Sequence, residues 1–193
     1  GIMSPGPALH RVVPADSSVK SEWIMPYDRL KPILAAAKSF TVGDCICRKQ
    51  QALIGEPCRF PLRVCLGFSS RERPAGPHSI SRDEALAILD EAERVGLVHT
   101  VSNVAQGFDY ICNCCSCCCG ILRGLTEFGI DGSVAVANYY AEVEPDLCSS
   151  CGLCTERCQV GAVSLRDDAA VVVRERCIGC GLCVTTCPTG AVT

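Results

Sequence analysis

Six cysteines fall within eight consecutive positions of the stretch ICNCCSCCCG (111–120). Neighbouring cysteines are rarely placed to form disulfides with one another, so this density favours metal ligation. The six are Cys112, Cys114, Cys115, Cys117, Cys118 and Cys119. They belong to a chain of 193 residues with 18 cysteines, a content otherwise typical of short secreted disulfide scaffolds.

A repeated cysteine pattern lies near the end of the chain. CSSCGLCTERC begins at Cys148 and CIGCGLCVTTCP begins at Cys177, and both space their thiols as C-x2-C-x2-C-x3-C. Repeats this similar indicate two copies of one structural unit. A cubane iron–sulfur cluster needs four thiolates around one compact body. Three can come from one tight loop, and glycines within it allow backbone amides to turn toward the sulfurs.

Residues 139–193 resemble a bacterial-type ferredoxin with two [4Fe–4S] clusters. The resemblance implies an opening strand in YYAEVEPDLC, a hairpin in AVSLRDDAAVVV, and one-electron transfer at low potential. It also implies two ligand sets, in which each motif gives its fourth cysteine to the other cluster. The sets are Cys148, Cys151, Cys154 and Cys187 for one cluster, and Cys177, Cys180, Cys183 and Cys158 for the other.

The first motif departs from this family at Gln159, where a proline usually follows the fourth cysteine. Because proline fixes the turn after the ligand, we expect Gln159 to loosen that loop without removing a ligand. The alternative for the eight thiols is a pair of zinc sites. Zinc ribbons lack both the third C-x2-C step and the exchanged fourth ligand.

Ten further cysteines precede residue 140: the six of the opening stretch and Cys45, Cys47, Cys58 and Cys65. The C-x-C spacing of DCICRKQ predicts two thiols on one side of an extended segment, which we expect to join the later stretch in a compact four-thiolate site. We expect the two groups to share at least one metal centre, with Arg48 and Arg123 nearby to favour thiolates. An iron–sulfur centre is the preferred interpretation. Structural zinc, with His78 or His99 as further possible ligands, and simple burial of some thiols are the alternatives.

The N-terminal layout of CxCR, CNCC and a terminal ferredoxin region resembles uncharacterised ferredoxin-domain proteins of anaerobes. The string CCCG is also similar to the CCG domains of heterodisulfide reductases. That family continues with a distant C-x-x-C, whereas the later pairs here belong to the ferredoxin motifs.

The elements that must position these thiols can be predicted in part. Residues 81–96 predict a helix with a Ser81–Glu84 capping box, a buried stripe on Ala85, Leu89, Ala92 and Val95, and a stop at Gly96. A second helix is predicted to follow Pro26, and a third in GILRGLTEFG. LVHTV and FDYIC predict a hairpin. We therefore expect an α+β protein, with a small cysteine-rich α/β metal-binding domain over 1–138 and a two-cluster ferredoxin-like domain over 139–193.

The charge pattern argues against nucleic-acid binding, since the net charge is −3 and no basic stripe is present. Helix 81–96, which would be the recognition helix of a winged-helix arrangement, is acidic. No apolar run is long enough to span a membrane, and the first residues do not resemble a signal peptide. We expect a cytoplasmic protein of an anaerobic or low-oxygen cell.

The leading functional hypothesis is an electron carrier or subunit that serves a flavo- or metalloenzyme partner. An enzyme whose N-terminal cysteine cluster is the reaction centre is the second hypothesis, and a redox or metal sensor is the third. No Rossmann fingerprint or P-loop is present, so we assign such cofactors to a partner.

Overall fold

The computed structural model describes residues 7–18, 29–104 and 107–193. Its helices and strands in chain order are β1 (His10–Val13), α1 (Leu30–Ala36), β2 (Ser39–Asp44), α2 (Ile46–Leu53), β3 (Arg63–Ser69), β4 (Ser79–Ile80), α3 (Arg82–Val95), β5 (Val98–Ser102), β6 (Tyr110–Cys114), α4 (Gly120–Thr126), β7 (Val134–Ala135), α5 (Leu153–Arg157), β8 (Val163–Arg166), β9 (Ala169–Val172) and α6 (Leu182–Thr186). Helices and strands are mixed, as expected for an α+β protein.

One seven-stranded sheet organises the N-terminal region. Its strand order is β4-β2-β3-β6-β5-β1-β7, and all neighbours are antiparallel except β1 and β7. Helices α1 and α3 contribute Leu30, Leu34, Ala85 and Leu89 to an apolar core that also contains residues of five strands. The sheet therefore holds β2, β3, β5 and β6, which carry or flank most N-terminal cysteines, in fixed register.

The local sequence signals for α3 are confirmed. The Ser81 side chain accepts a hydrogen bond from the Glu84 amide, the Glu84 carboxylate accepts one from the Ser81 amide, and Gly96 ends the helix in a left-handed conformation. The β5–β6 hairpin and helix α4 are also present, although the turn residues 105–106 lie outside the described residues. Pro26, after which a helix is predicted, also lies outside the described residues. The first described helical residue after it is Leu30, where α1 begins.

The C-terminal region contains the predicted hairpin β8–β9, whose turn places Asp167 and Asp168 at positive φ. The predicted opening strand is a single antiparallel bridge between Val143 and Val192. Short helices α5 and α6 each follow a left-handed glycine, Gly152 or Gly181. The two motifs are thus built in the same way, as their sequence repeat requires.

The two regions are joined by direct contacts. The Ala15 amide donates to the Cys180 carbonyl (2.9 Å), and the Ala137 amide donates to the Ile178 carbonyl (3.1 Å). Arg157 donates to the Arg94 carbonyl at the end of α3 (2.7 Å). The division at 138–139 stays a prediction. None of the helices described here combines the length and the apolar character that crossing a membrane requires.

Candidate metal centres

The eight cysteines of the repeated motifs lie around two separate pockets. One pocket, which we call quartet I, is lined by Cys148, Cys151, Cys154 and Cys187. The other, quartet II, is lined by Cys158, Cys177, Cys180 and Cys183. Each pocket contains three thiols of one motif and the fourth thiol of the other. This grouping is the one that the sequence resemblance implies for the ligands.

Quartet II borders an apolar cavity of about 280 Å³, and its thiols are set for ligation. The Ala162 amide donates to the Cys158 sulfur (3.2 Å), as the Ala170 amide does to Cys148 of quartet I (3.4 Å). Burial raises the pKa of Cys180 to about 12 and, with repulsion from Cys158 and Cys177, raises that of Cys183 to about 12. Cys180 and Cys183 therefore stay protonated until a metal ion displaces their protons. Converging thiols with amide donors in an apolar setting suit an iron–sulfur cluster.

Residues 135–193 match the family model of the 4Fe-4S dicluster domain. The C-terminal region is a ferredoxin-type domain. The match supports iron–sulfur electron transfer as its general activity. It does not reach the N-terminal cysteines, so the resemblance of that region stays an expectation. A search of the curated proteins found no match to this chain.

Four N-terminal cysteines form a compact group, which we call the four-thiol group. Its members are Cys58, Cys115, Cys117 and Cys118, whose sulfurs all lie within 4.8 Å of one another. The Cys58 sulfur lies 3.7 Å from that of Cys115 and 3.6 Å from that of Cys117, and the Cys117 and Cys118 sulfurs are 3.7 Å apart. A tetrahedral ion with metal–sulfur bonds of about 2.3 Å requires sulfur–sulfur edges of about 3.8 Å. The group therefore has the size of a single-ion site.

The other six N-terminal cysteines form a closed ring, which we call the thiol ring. Each thiol interacts with two neighbours, in the order Cys45, Cys47, Cys119, Cys114, Cys112, Cys65 and back to Cys45. The ring thus brings together the C-x-C pair, the cysteine of β3, the two cysteines of β6 and the cysteine that precedes α4. Hydrogen bonds from Cys47 and Cys65 lower the pKa of Cys45, whereas Cys119 and Cys45 raise that of Cys47.

Strand β6 explains how six adjacent cysteines are divided between the two groups. Alternate residues of a strand point to opposite faces, and Cys112 and Cys114 both belong to the ring. Cys115 follows the last residue of β6 and joins the four-thiol group. A turn over 116–118 then returns the chain to the ring at Cys119, which precedes α4. Each of the two groups thus combines thiols from both stretches, and the shared metal centre stays a prediction.

Two details of the N-terminal prediction were wrong. Cys45 and Cys47 do not lie in an extended segment, because Cys45 is the N-cap of α2 and Cys47 lies in its first turn. The predicted second clamp of the compact four-thiol group was this C-x-C pair, but the structure places Cys58 there instead. Position along the chain could not distinguish Cys58 from Cys45, since both reach the 112–119 stretch only through the fold.

Arg48 lies between the two groups. It is 2 % exposed, and its guanidinium donates to the Pro61 carbonyl (2.9 Å) and the Asn113 carbonyl (2.9 Å). Burial opposes its charge, but Cys115, Cys45 and Cys58 more than compensate and raise its pKa. Among the described residues no carboxylate pairs with it. A buried cation without a carboxylate is stable where the neighbouring sulfurs are anionic.

The other candidate residues have different partners. Arg123 pairs with Glu127 (2.7 Å). His99 is buried, and its imidazole nitrogens lie 2.6 Å from Asn113 Oδ1 and 3.3 Å from Glu93 Oε1, so the imidazole has a structural role in the core. His78 is exposed beside an open groove of about 690 Å³ whose lining includes Cys65 and Cys112.

Gln159 does not loosen its loop. Its side-chain oxygen accepts from the Ser116 amide (2.9 Å) and hydroxyl (3.0 Å), and its Nε2 donates to the Gly96 carbonyl (2.8 Å). The expectation was wrong because these partners lie in the N-terminal region, far from Gln159 in sequence. Gln159 joins the ferredoxin-type domain to the turn of the N-terminal cysteine stretch.

Proposed function

We propose that this chain is an electron-transfer protein or subunit with two [4Fe–4S] clusters, one held by quartet I and one by quartet II. It exchanges single low-potential electrons with a flavo- or metalloenzyme partner and carries a further metal centre at the N-terminal thiols. The observation that carries this proposal is the exchange of the fourth cysteine between the two pockets.

The burial of the thiols supports an order among the sites. Cys151 of quartet I is exposed, whereas Cys114 and Cys119 of the thiol ring pack in one apolar cluster with Cys158, Cys177 and Cys180. An electron from the reduced partner therefore enters at quartet I, passes to quartet II and continues to the N-terminal thiols. At each step one site is oxidised and the next is reduced by one electron, with no bond made or broken.

The ligand sets are tested by paired replacements of the two exchanged cysteines. Cys187→Ser should damage the cluster of quartet I, and Cys158→Ser should damage that of quartet II. Electron paramagnetic resonance of the reduced, anaerobically purified chains distinguishes the two signals, and iron and sulfide analysis measures each loss. Cys177→Ser identifies the quartet II signal, and if Cys187→Ser removed that same signal, the exchanged assignment would be wrong.

The groove at Cys65 and Cys112 favours a second candidate function, a redox enzyme with its reaction centre at the N-terminal thiols. The volume of about 690 Å³ suits a small organic ligand, and Asp44, Lys49 and Arg63 lie along the groove. In this case the ferredoxin-type domain supplies electrons to that centre. Small ligands that alter the spectrum of the N-terminal centre, and lose this effect in Lys49→Ala, would favour the enzyme over the carrier.

A further inference from the structure

The thiol ring is too wide to surround one metal ion. In a tetrahedral site every sulfur lies about 3.8 Å from the other three, because all four touch the same ion. The four-thiol group has this compactness, but no three ring sulfurs, all in the described part of the chain, lie within 4.8 Å of one another. The ring also has two thiols more than a single tetrahedral ion can bind.

The width of the ring suits a polynuclear centre instead. The thiolates of an iron–sulfur cluster bind different irons, and inorganic sulfide fills the space between them, so the thiolates stand farther apart than around one ion. The thiols are still near enough to repel one another as thiolates across the ring, Cys112 with Cys119 and Cys65 with Cys114, which raises the pKa of Cys112 and of Cys65.

The surroundings of the ring supply what an anionic cluster needs. Backbone amides of Arg48, Gly120 and Leu122 lie near the sulfurs of Cys45, Cys47 and Cys119, and each acts to lower the pKa of the thiol beside it. Hydrogen bonds of this kind stabilise thiolate and cluster charge. The buried guanidinium of Arg48 adds a positive charge next to Cys45.

We propose that the thiol ring binds an iron–sulfur cluster of its own, held by at least four of the six cysteines. The four-thiol group separately binds one tetrahedral ion. Four sulfur ligands and the sulfur–sulfur distances of this group favour zinc as that ion. The N-terminal region thus contains two centres rather than one shared site. The role of the ring cluster as acceptor from quartet II rests on the proposed function, whereas its binding does not.

The location of the ring fits this division. Cys112, Cys114 and Cys119 pack in the apolar cluster that contains thiols of quartet II. Cys45, Cys47 and Cys65 pack with the four-thiol group. The ring cluster therefore lies between a redox site and a structural ion. In its reduction one electron leaves quartet II, which is oxidised by one unit, and no proton or group moves.

Paired replacements in the full-length chain, purified without oxygen, test the division. Cys112→Ala with Cys114→Ala changes the ring alone, and Cys58→Ala with Cys117→Ala changes the four-thiol group alone. Iron, zinc and acid-labile sulfide are counted per chain. We expect the unmodified chain to contain more iron and sulfide than two four-iron clusters hold. The ring variant should lose that excess and keep zinc, and the other variant should lose zinc and keep the excess.

Several outcomes would overturn the proposal. Zinc lost from the ring variant with unchanged sulfide would make the ring a zinc site, and iron lost from both variants together would restore a single shared centre. An unmodified chain without excess iron and sulfide would show that the ring holds no iron–sulfur cluster, even if a variant failed to fold. The resonance signals of quartets I and II report the proposed function separately, since their loss would not change the ring's count.

Discussion

At the scale of single residues, Arg48 is a buried cation surrounded by thiols. Its guanidinium is almost fully buried and faces sulfurs of the four-thiol group and of the thiol ring. Four thiolates around a divalent ion carry a net charge of about −2, which a neighbouring cation offsets. At the proposed metal site, Arg48 thus balances charge that the sulfur ligands would leave in the protein interior.

Replacing Arg48 should weaken metal binding at the four-thiol group. Removal of a residue that supports metal ligands typically lowers metal affinity about 10- to 100-fold, and we expect this for Arg48→Met. Arg48→Lys should restore part of the loss, because it returns the charge without the two-pronged donation to Pro61 and Asn113. Competition with a zinc chelator measures the affinity. Arg59→Met, at an exposed arginine beside Phe60, is the control. Equal affinities for all variants would contradict the role of Arg48 in charge balance.

Gln159 joins the two regions through three hydrogen bonds, so Gln159→Ala should release the turn at Ser116. Each bond contributes about 1 kcal/mol, and we expect a loss of about 1–3 kcal/mol from the free energy of unfolding. Faster hydrogen exchange at the Ser116 amide measures the local effect. Gln50→Ala, at an exposed position of α2, should leave exchange unchanged. Unaltered exchange in the Gln159 variant would show that the turn is held by other contacts.

At the scale of the elements, the two cysteine loops differ where they meet the rest of the protein. Gly179 has φ +70°, and a Cβ there would overlap the Tyr139 carbonyl oxygen and approach the Ala137 side chain. The matching position of the first loop is Ser150, also at positive φ, whose hydroxyl donates to the Asp168 carbonyl. The second loop therefore needs glycine for space as well as for backbone conformation.

Gly179→Ala and Gly190→Ala separate these two requirements. Both glycines have φ +70°, but a Cβ at Gly190 would meet no atom within 4 Å. Gly190→Ala should cost about 1 kcal/mol of stability from backbone strain alone. Gly179→Ala should cost more and reduce the iron retained at quartet II, since Tyr139 must move. Thermal unfolding and iron analysis measure both effects. Similar losses in the two variants would show that contact with Tyr139 is unimportant.

Patterns within short stretches of sequence were sufficient to predict helix α3 and the β5–β6 hairpin. The capping box and Gly96 fixed α3, and the alternation of residues 97–101 and 108–112 indicated the β5–β6 hairpin. The pairing of β6 with β3 joins segments more than 40 residues apart, and this pairing brings Cys65 beside Cys112. The sequence alone could not show where β6 ends. That end decides which of Cys114 and Cys115 joins each group.

At the scale of the whole molecule, the four thiol groups follow one another through the fold. Quartet I lies entirely among residues 148–192, whereas Pro14 and Ser18 of the N-terminal region help to line the cavity at quartet II. Beyond quartet II lie the thiol ring and then the four-thiol group. The N-terminal region thus does more than extend the ferredoxin-type domain, because it covers one of that domain's two pockets.

This asymmetry predicts that residues 135–193 alone protect the two proposed clusters unequally. Without the N-terminal region, quartet II loses Pro14, Ser18 and the hydrogen bond from the Ala15 amide to the Cys180 carbonyl, while the lining of quartet I is complete. We therefore expect the quartet II signal of the fragment to decay faster in air than in the full chain, because water and oxygen reach its sulfurs. The quartet I signal should decay at the same rate in both. Paramagnetic resonance during timed exposure to air follows each signal. If both signals decayed equally in the fragment and in the full chain, the cover over quartet II would have no protective effect, and its contacts would serve only to join the two regions.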